Sequence, residues 1–105
     1  MNVSQPYRTH LNRDFMEGLY KLIELMLQQS PLYDIDRMHL AVLGRIKDRI
    51  YQKMGLYKRE YTMTFSPEEA IALRVLYTDY VKEHLTNIGN RLHVISNEVH
   101  RQYCQ

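Results

Sequence analysis

Five histidines, one cysteine and a cluster of basic side chains are the residues of this chain whose types lend themselves to chemistry. His93 and His100 stand seven positions apart, about 10 Å along a helix at 1.5 Å per residue, too far to share one metal ion directly. His10, His39 and His84 have no pair of ligand-type residues at useful spacing. Surface or half-buried histidine is therefore the expected state. Cys104 reads as an inert thiol rather than a nucleophile, and a lone cysteine cannot close an intramolecular bridge. There is no carboxylate or nucleophile motif and no glycine-rich phosphate loop; the four glycines stand singly. The expectation is a non-catalytic protein with no catalytic, cofactor-binding or metal-binding residues.

The basic residues are more informative. The whole chain carries a net charge of only +2, yet between Arg37 and Arg59 lie seven basic residues against one acidic residue, Asp48. Arg45, Arg49 and Lys53 recur every fourth position along one flank of a predicted helix, and Lys58 and Arg59 follow. A helix C-terminal half favours cations through its dipole, which explains such a row without any ligand. The functional alternative is a patch for phosphates or an acidic partner, where arginine offers fixed bidentate geometry.

The elements that carry these residues follow from periodicity. Met1–Leu11 is polar, contains Pro6 and reads as a flexible lead-in rather than a signal peptide. A first helix is expected from Asn12 or Arg13 to Gln29, capped by Asn12 and stopped by Ser30-Pro31. Its apolar residues, among them Phe15, Leu19, Ile23 and Met26, cover most of the circumference, which marks a central helix. A second helix is expected from Ile35 or Asp36 to Met54, with Asp34 or Asp36 as cap and Gly55 as stop. Its core stripe is Ile35, Met38, Val42, Ile46 and Ile50.

The period then changes to two. Tyr61, Met63 and Phe65 alternate with Glu60, Thr62 and Thr64, as in a half-buried strand. No second strand pattern and no internal repeat is visible. A strand cannot satisfy its own backbone groups, so the simplest partner is the same strand of a second molecule, with a hairpin to the lead-in as the alternative. Ser66-Pro67-Glu68-Glu69 is a capping box with proline in the first turn. From it an apolar seam, Tyr77, Val81, Leu85, Ile88, Leu92, Ile95 and Val99, runs across Gly89 in phase. One helix from Pro67 to about Arg101 is expected, approaching 50 Å at 1.5 Å per residue and overhanging its own domain. The alternative is a break near Gly89 that folds the last turns back as a separate helix.

The segment Lys58-Arg59-Glu60-Tyr61-Thr62-Met63-Thr64-Phe65-Ser66-Pro67-Glu68-Glu69-Ala70 resembles the opening of ribbon-helix-helix DNA-binding proteins. Leu85-Thr86-Asn87-Ile88-Gly89-Asn90-Arg91-Leu92 is similar to a motif of plasmid mobilisation accessory proteins. Together the two segments cover about a quarter of the chain. The resemblance implies two strands paired across a dimer in the DNA major groove, with Glu60, Thr62 and Thr64 facing the bases. The sequence departs from the family pattern in three ways: two long helices precede the strand, no turn follows Ala72–Tyr80, and Glu60 brings negative charge toward phosphates.

The expected fold is therefore mainly α: a single domain over residues 1–105, with three helices, the last long, and one short strand before it that pairs across a homodimer. The dimer interface is expected at Tyr61, Met63, Phe65, Leu85, Ile88, Leu92, Ile95 and Val99. A nucleic-acid or acidic-partner surface is expected at Arg45, Arg49, Lys53, Lys58, Arg59, Thr62 and Thr64. The lone cysteine fits a reducing, cytoplasmic address, and no run approaches the 18 or so apolar residues of a membrane span. Two function classes remain: a non-catalytic interaction or scaffolding module acting as a homodimer on a protein partner, and a DNA-binding accessory protein of a mobile element. Nine tyrosines and six methionines suit either a core edge or an exposed interaction surface.

Overall fold

A computed structural model describes residues 5–28, 34–81 and 87–103. Its element order is β1 (Tyr7–Asn12), α1 (Arg13–Leu27), α2 (Asp34–Lys53), β2 (Glu60–Phe65), α3 (Pro67–Leu76), a π-helical turn (Tyr77–Val81) and α4 (Asn87–Tyr103). The fold is mainly helical, as expected, and β1 and β2 form a two-stranded antiparallel sheet. The chain's contacts fall into two compact units. One holds the described residues up to Thr9 and those from Thr62 onward, and the other is His10–Tyr61. Among the described residues no helix is long and apolar enough to cross a membrane.

Three expectations are corrected. Residues 7–12, read as part of a flexible lead-in, form β1, so the sheet has two strands from one chain. The segment after Ser66 is not one helix. Among the described residues four α-helices stand where three were expected, with α4 packed on α3. The order strand, helix, helix occurs twice along the chain, the second time with the π-helical turn between its helices. In that order Tyr7 and Tyr61, Leu11 and Phe65, Asn12 and Ser66, and Leu19 and Leu73 hold equivalent places.

Each strand turns into its helix through the same local chemistry. Asn12 is extended and its side-chain oxygen accepts from the backbone N–H of Phe15 at 2.7 Å, which satisfies one donor left free at the start of α1. Ser66 does the same for Glu69 at 3.2 Å, while the Glu69 carboxylate accepts from the Ser66 N–H at 2.9 Å. The bounds of α1 and α2 fall within one or two residues of the predicted ones. Past α2, the Gly55 N–H bonds to the Gln52 carbonyl, which closes the turn where the sequence placed the stop.

In the His10–Tyr61 unit α1 packs on α2, and Phe15, Met16, Leu19, Ile23 and Met26 meet a core that includes Leu43, Ile46 and Ile50. The other unit packs α3 against α4. Arg74 donates to the Ser96 carbonyl at 3.1 Å and Ser96 Oγ at 3.0 Å; three residues later, at the start of the π-helical turn, Tyr77 bonds His93, three residues earlier along α4. Such descending partners mean antiparallel helices. Ala70, Leu73 and Leu76 on α3 and Leu92, Ile95 and Val99 on α4 are buried. The seam that seemed to require a second molecule is thus covered within the chain, because folding back removes apolar surface from water without the entropic penalty of association.

Two substitutions check this account. Asn12→Ala removes one cap and should lower stability by about 1 kcal/mol, read as a shift of the urea midpoint at constant slope. Leu92, with no exposed surface, should lose about 2–5 kcal/mol when changed to Ala. A Leu92→Ala protein as stable as the parent would refute the packing of α4 described above.

Candidate functional site: the outward face of a two-stranded ribbon

Side chains in the two strands alternate strictly. In β1, Tyr7, Thr9 and Leu11 are buried while Arg8, His10 and Asn12 are exposed. In β2, Tyr61, Met63 and Phe65 are buried while Glu60 and Thr64 are exposed and Thr62 is half-exposed. Two contacts fix the register. The Arg13 N–H donates to the Arg59 carbonyl at 3.1 Å, and the Tyr7 ring stacks on Phe65 with centroids 6.4 Å apart. Tyr7 therefore lies opposite Phe65, Arg8 opposite Thr64 and Asn12 opposite Glu60. Cross-strand neighbours on one face stand about 5 Å apart, so Arg8 and Thr64 are neighbours in one unit and Asn12 and Glu60 in the other.

The inward face is held by polar ties as well as by packing. Within the unit that contains Thr62 onward, Tyr7 OH donates to Glu98 Oε1 at 2.6 Å and Arg91 donates to Thr9 Oγ1 at 2.9 Å. Gln102 and Tyr103 donate to the carbonyls of Gln5 and Pro6. Thus α4 fastens the start of β1. Burial, followed by the hydrogen bond to Glu98, pushes the Tyr7 hydroxyl well above the usual tyrosine range. Burial also raises Tyr103.

In the His10–Tyr61 unit the equivalent residue, Tyr61, plays the matching part. Its hydroxyl donates to the Leu56 carbonyl at 2.8 Å and accepts from the Lys58 N–H at 3.1 Å and from Arg13 at 2.6 Å. One hydroxyl so fixes the loop between α2 and β2. Arg13 also bonds Glu17 at 3.1 Å and lies 4.6 Å from the Tyr57 ring centroid. Beside it is a cleft of about 410 Å³ lined by Arg13, Glu17, Tyr20, Lys21, Tyr51, Met54 and Gly55. Tyr51, Leu56 and Tyr57 are all more than two-thirds exposed.

The residues singled out from sequence divide between these settings. Tyr61, Met63, Phe65, Leu92, Ile95 and Val99, expected at a dimer interface, are buried inside the chain, and Ile88 is half-buried. Leu85 lies outside the described residues, as do Cys104 and His84. Arg45, Lys53, Lys58 and Arg59 are exposed and Arg49 is half-buried, all in the His10–Tyr61 unit. Arg45 and Arg49 both have partners within the chain, as do His10, Thr62 and Thr64. His93 bonds Tyr77 at 2.6 Å and Asn97 at 3.1 Å. The buried Nδ1 of His100 has no partner among the described residues, and no group of three or more His, Cys, Asp or Glu there is arranged to hold a metal ion. Sequence reasoning missed Arg8 and His10 because β1 was not recognised. The equivalence of Tyr7-x-x-x-Leu11-Asn12 with Tyr61-x-x-x-Phe65-Ser66 was the available signal.

No protein-family model, curated protein or solved structure matches the chain.

The raised Tyr7 hydroxyl makes the ribbon's support sensitive to alkali. Its folded form holds the proton above the free tyrosine value near 10, so its contribution is complete below about pH 10 and is lost as pH rises beyond that. Denaturation measured from about pH 9 to 11 should show a smaller alkaline loss for Tyr7→Phe than for the parent, with Tyr103 leaving a remainder. Equal losses in the two proteins would mean that Tyr7 does not govern the alkaline limit.

Proposed function

We propose that this protein binds duplex DNA by laying the β1–β2 ribbon in the major groove, its outward side chains toward the base edges. The observation that carries this reading is the ribbon itself: two antiparallel strands, covered on one face and polar and exposed on the other. A two-stranded β-ribbon fits the width of the major groove. Arg8 has the donor geometry for guanine, and threonine offers a hydroxyl and a methyl group. The partial resemblance to ribbon-helix-helix proteins points the same way, with one difference: β1 takes the place of a strand from a second molecule. The row Arg45, Arg49 and Lys53, with Lys58 and Arg59, supplies candidate phosphate contacts, which position a protein without reading sequence. Glu60 on the ribbon opposes binding by charge.

The test is fluorescence anisotropy with duplex DNA over a salt series. Affinity should fall steeply with salt, and Lys53→Ala and Lys58→Ala should each reduce the slope by roughly one. Glu60→Gln should strengthen binding, whereas Arg8→Ala should weaken it without lowering stability. Salt-independent binding, or no effect of Arg8→Ala, would sink the proposal.

A second reading, a homodimeric interaction module for a protein partner, is supported by a different surface. Tyr51, Leu56 and Tyr57 form an exposed aromatic and apolar group beside the cleft in the His10–Tyr61 unit, and tyrosine is enriched at interfaces. Light scattering of the reduced protein tests it. A dimer that Leu56→Lys with Tyr57→Lys converts to a folded monomer would place assembly there, and a monomeric parent would remove the homodimer.

A further inference from the structure

We infer that one chain reads one non-palindromic duplex site, because the two strands that face it carry different outward side chains. The inference rests on the reading of the ribbon as a DNA-facing surface. It goes further in naming the kind of target.

Both strands come from the same chain, and their ladder maps onto itself when the strands are exchanged. Tyr7 lies opposite Phe65, and the equivalent of Tyr7 is Tyr61, as the equivalent of Phe65 is Leu11. The residues before and after Thr9 on β1 therefore occupy the same places as those before and after Met63 on β2. Arg8 is the counterpart of Thr62, and His10 is the counterpart of Thr64. The backbone repeats; the outward chemistry does not. Asn12 and Ser66 remain alike because both are held at the helix starts as caps.

The symmetry of a binding site in DNA mirrors the symmetry of the protein that reads it. Two identical strands related by a two-fold axis select an inverted repeat, since each strand meets the same base edges. Here one strand carries Arg8 and His10 and the other Thr62 and Thr64, and of these His10 and the two threonines have partners within the chain. Arginine pairs with the two acceptors of guanine, whereas threonine accepts either role and packs its methyl group on that of thymine. The half-sites must differ. The end of the ribbon with Arg8 and, opposite it, Thr64 is expected to meet a guanine, and the end with Thr62 to tolerate or favour thymine. Six residues at about 3.4 Å each make a ribbon of roughly 20 Å, which at 3.4 Å per base pair spans about six base pairs. The target is thus a short, directional element, and the protein bound to it has a defined orientation.

Selection from a random pool of duplexes with the full chain, followed by the mass of the complex with the enriched duplex, tests the inference. The expected result is an enriched motif without inverted symmetry and one chain per duplex. Arg8→Ala should relax preference at one position in one half only, with a loss of roughly five- to a hundredfold for the selected site. The variant carrying Thr62→Arg and Thr64→His makes the outward residues of the strands alike, and its selected motif should become an inverted repeat. An inverted repeat selected by the parent protein, or two chains on each duplex, would overturn the inference while leaving DNA binding intact. Absence of salt-sensitive duplex binding would overturn both. Arg8 is exposed, so its variant keeps the test open should the double substitution prevent folding.

Discussion

The backbone hydrogen-bonding groups of β2 are the constraint from which the rest of the structure follows. A strand of six residues presents donors and acceptors that no helix in the chain can satisfy, and leaving them unpaired in a half-buried setting costs several kcal/mol. Residues 7–12 meet that need within the same chain. Once β1 is paired, its inward residues Tyr7, Thr9 and Leu11 must be covered, and α4 does so for the first two through Glu98 and Arg91. A helix that has to reach β1 cannot also continue the axis of α3, so the antiparallel packing of α3 and α4 and the pairing of the strands are parts of one solution.

The two halves of the chain solve one problem with the same devices and different residues. Each strand ends in a side chain that caps the next helix, each begins its inward face with a tyrosine, and each tyrosine hydroxyl is anchored. Tyr7 finds a carboxylate on α4, whereas Tyr61 finds a carbonyl and an N–H of the loop that precedes β2. On the inward face only the tyrosine is the same in both strands; Thr9 stands where β2 has Met63, and Leu11 where it has Phe65. The outward positions hold Arg8 and His10 on one strand and Thr62 and Thr64 on the other.

What the sequence by itself determined is local. The alternation of Tyr61, Met63 and Phe65, the caps at Asn12 and Ser66, the stop at Gly55 and the periods of α1 and α2 are properties of short segments, in which a few side chains decide the backbone. They were legible because each rests on neighbours in sequence. Tertiary structure decided the rest. Residues 7–12 have only Tyr7 and Leu11 as large apolar residues, with Thr9 between them and Pro6 before, and their strand conformation depends on bonds to residues more than 80 positions away. The seam from Tyr77 to Val99 keeps helical phase whether the helix runs on or turns back, so periodicity could not choose; burial of Leu92, Ile95 and Val99 in the chain's own core did. The outward pair Arg8 and His10 became visible only with β1, because alternation assigns a side chain to a face only after the partner strand is known.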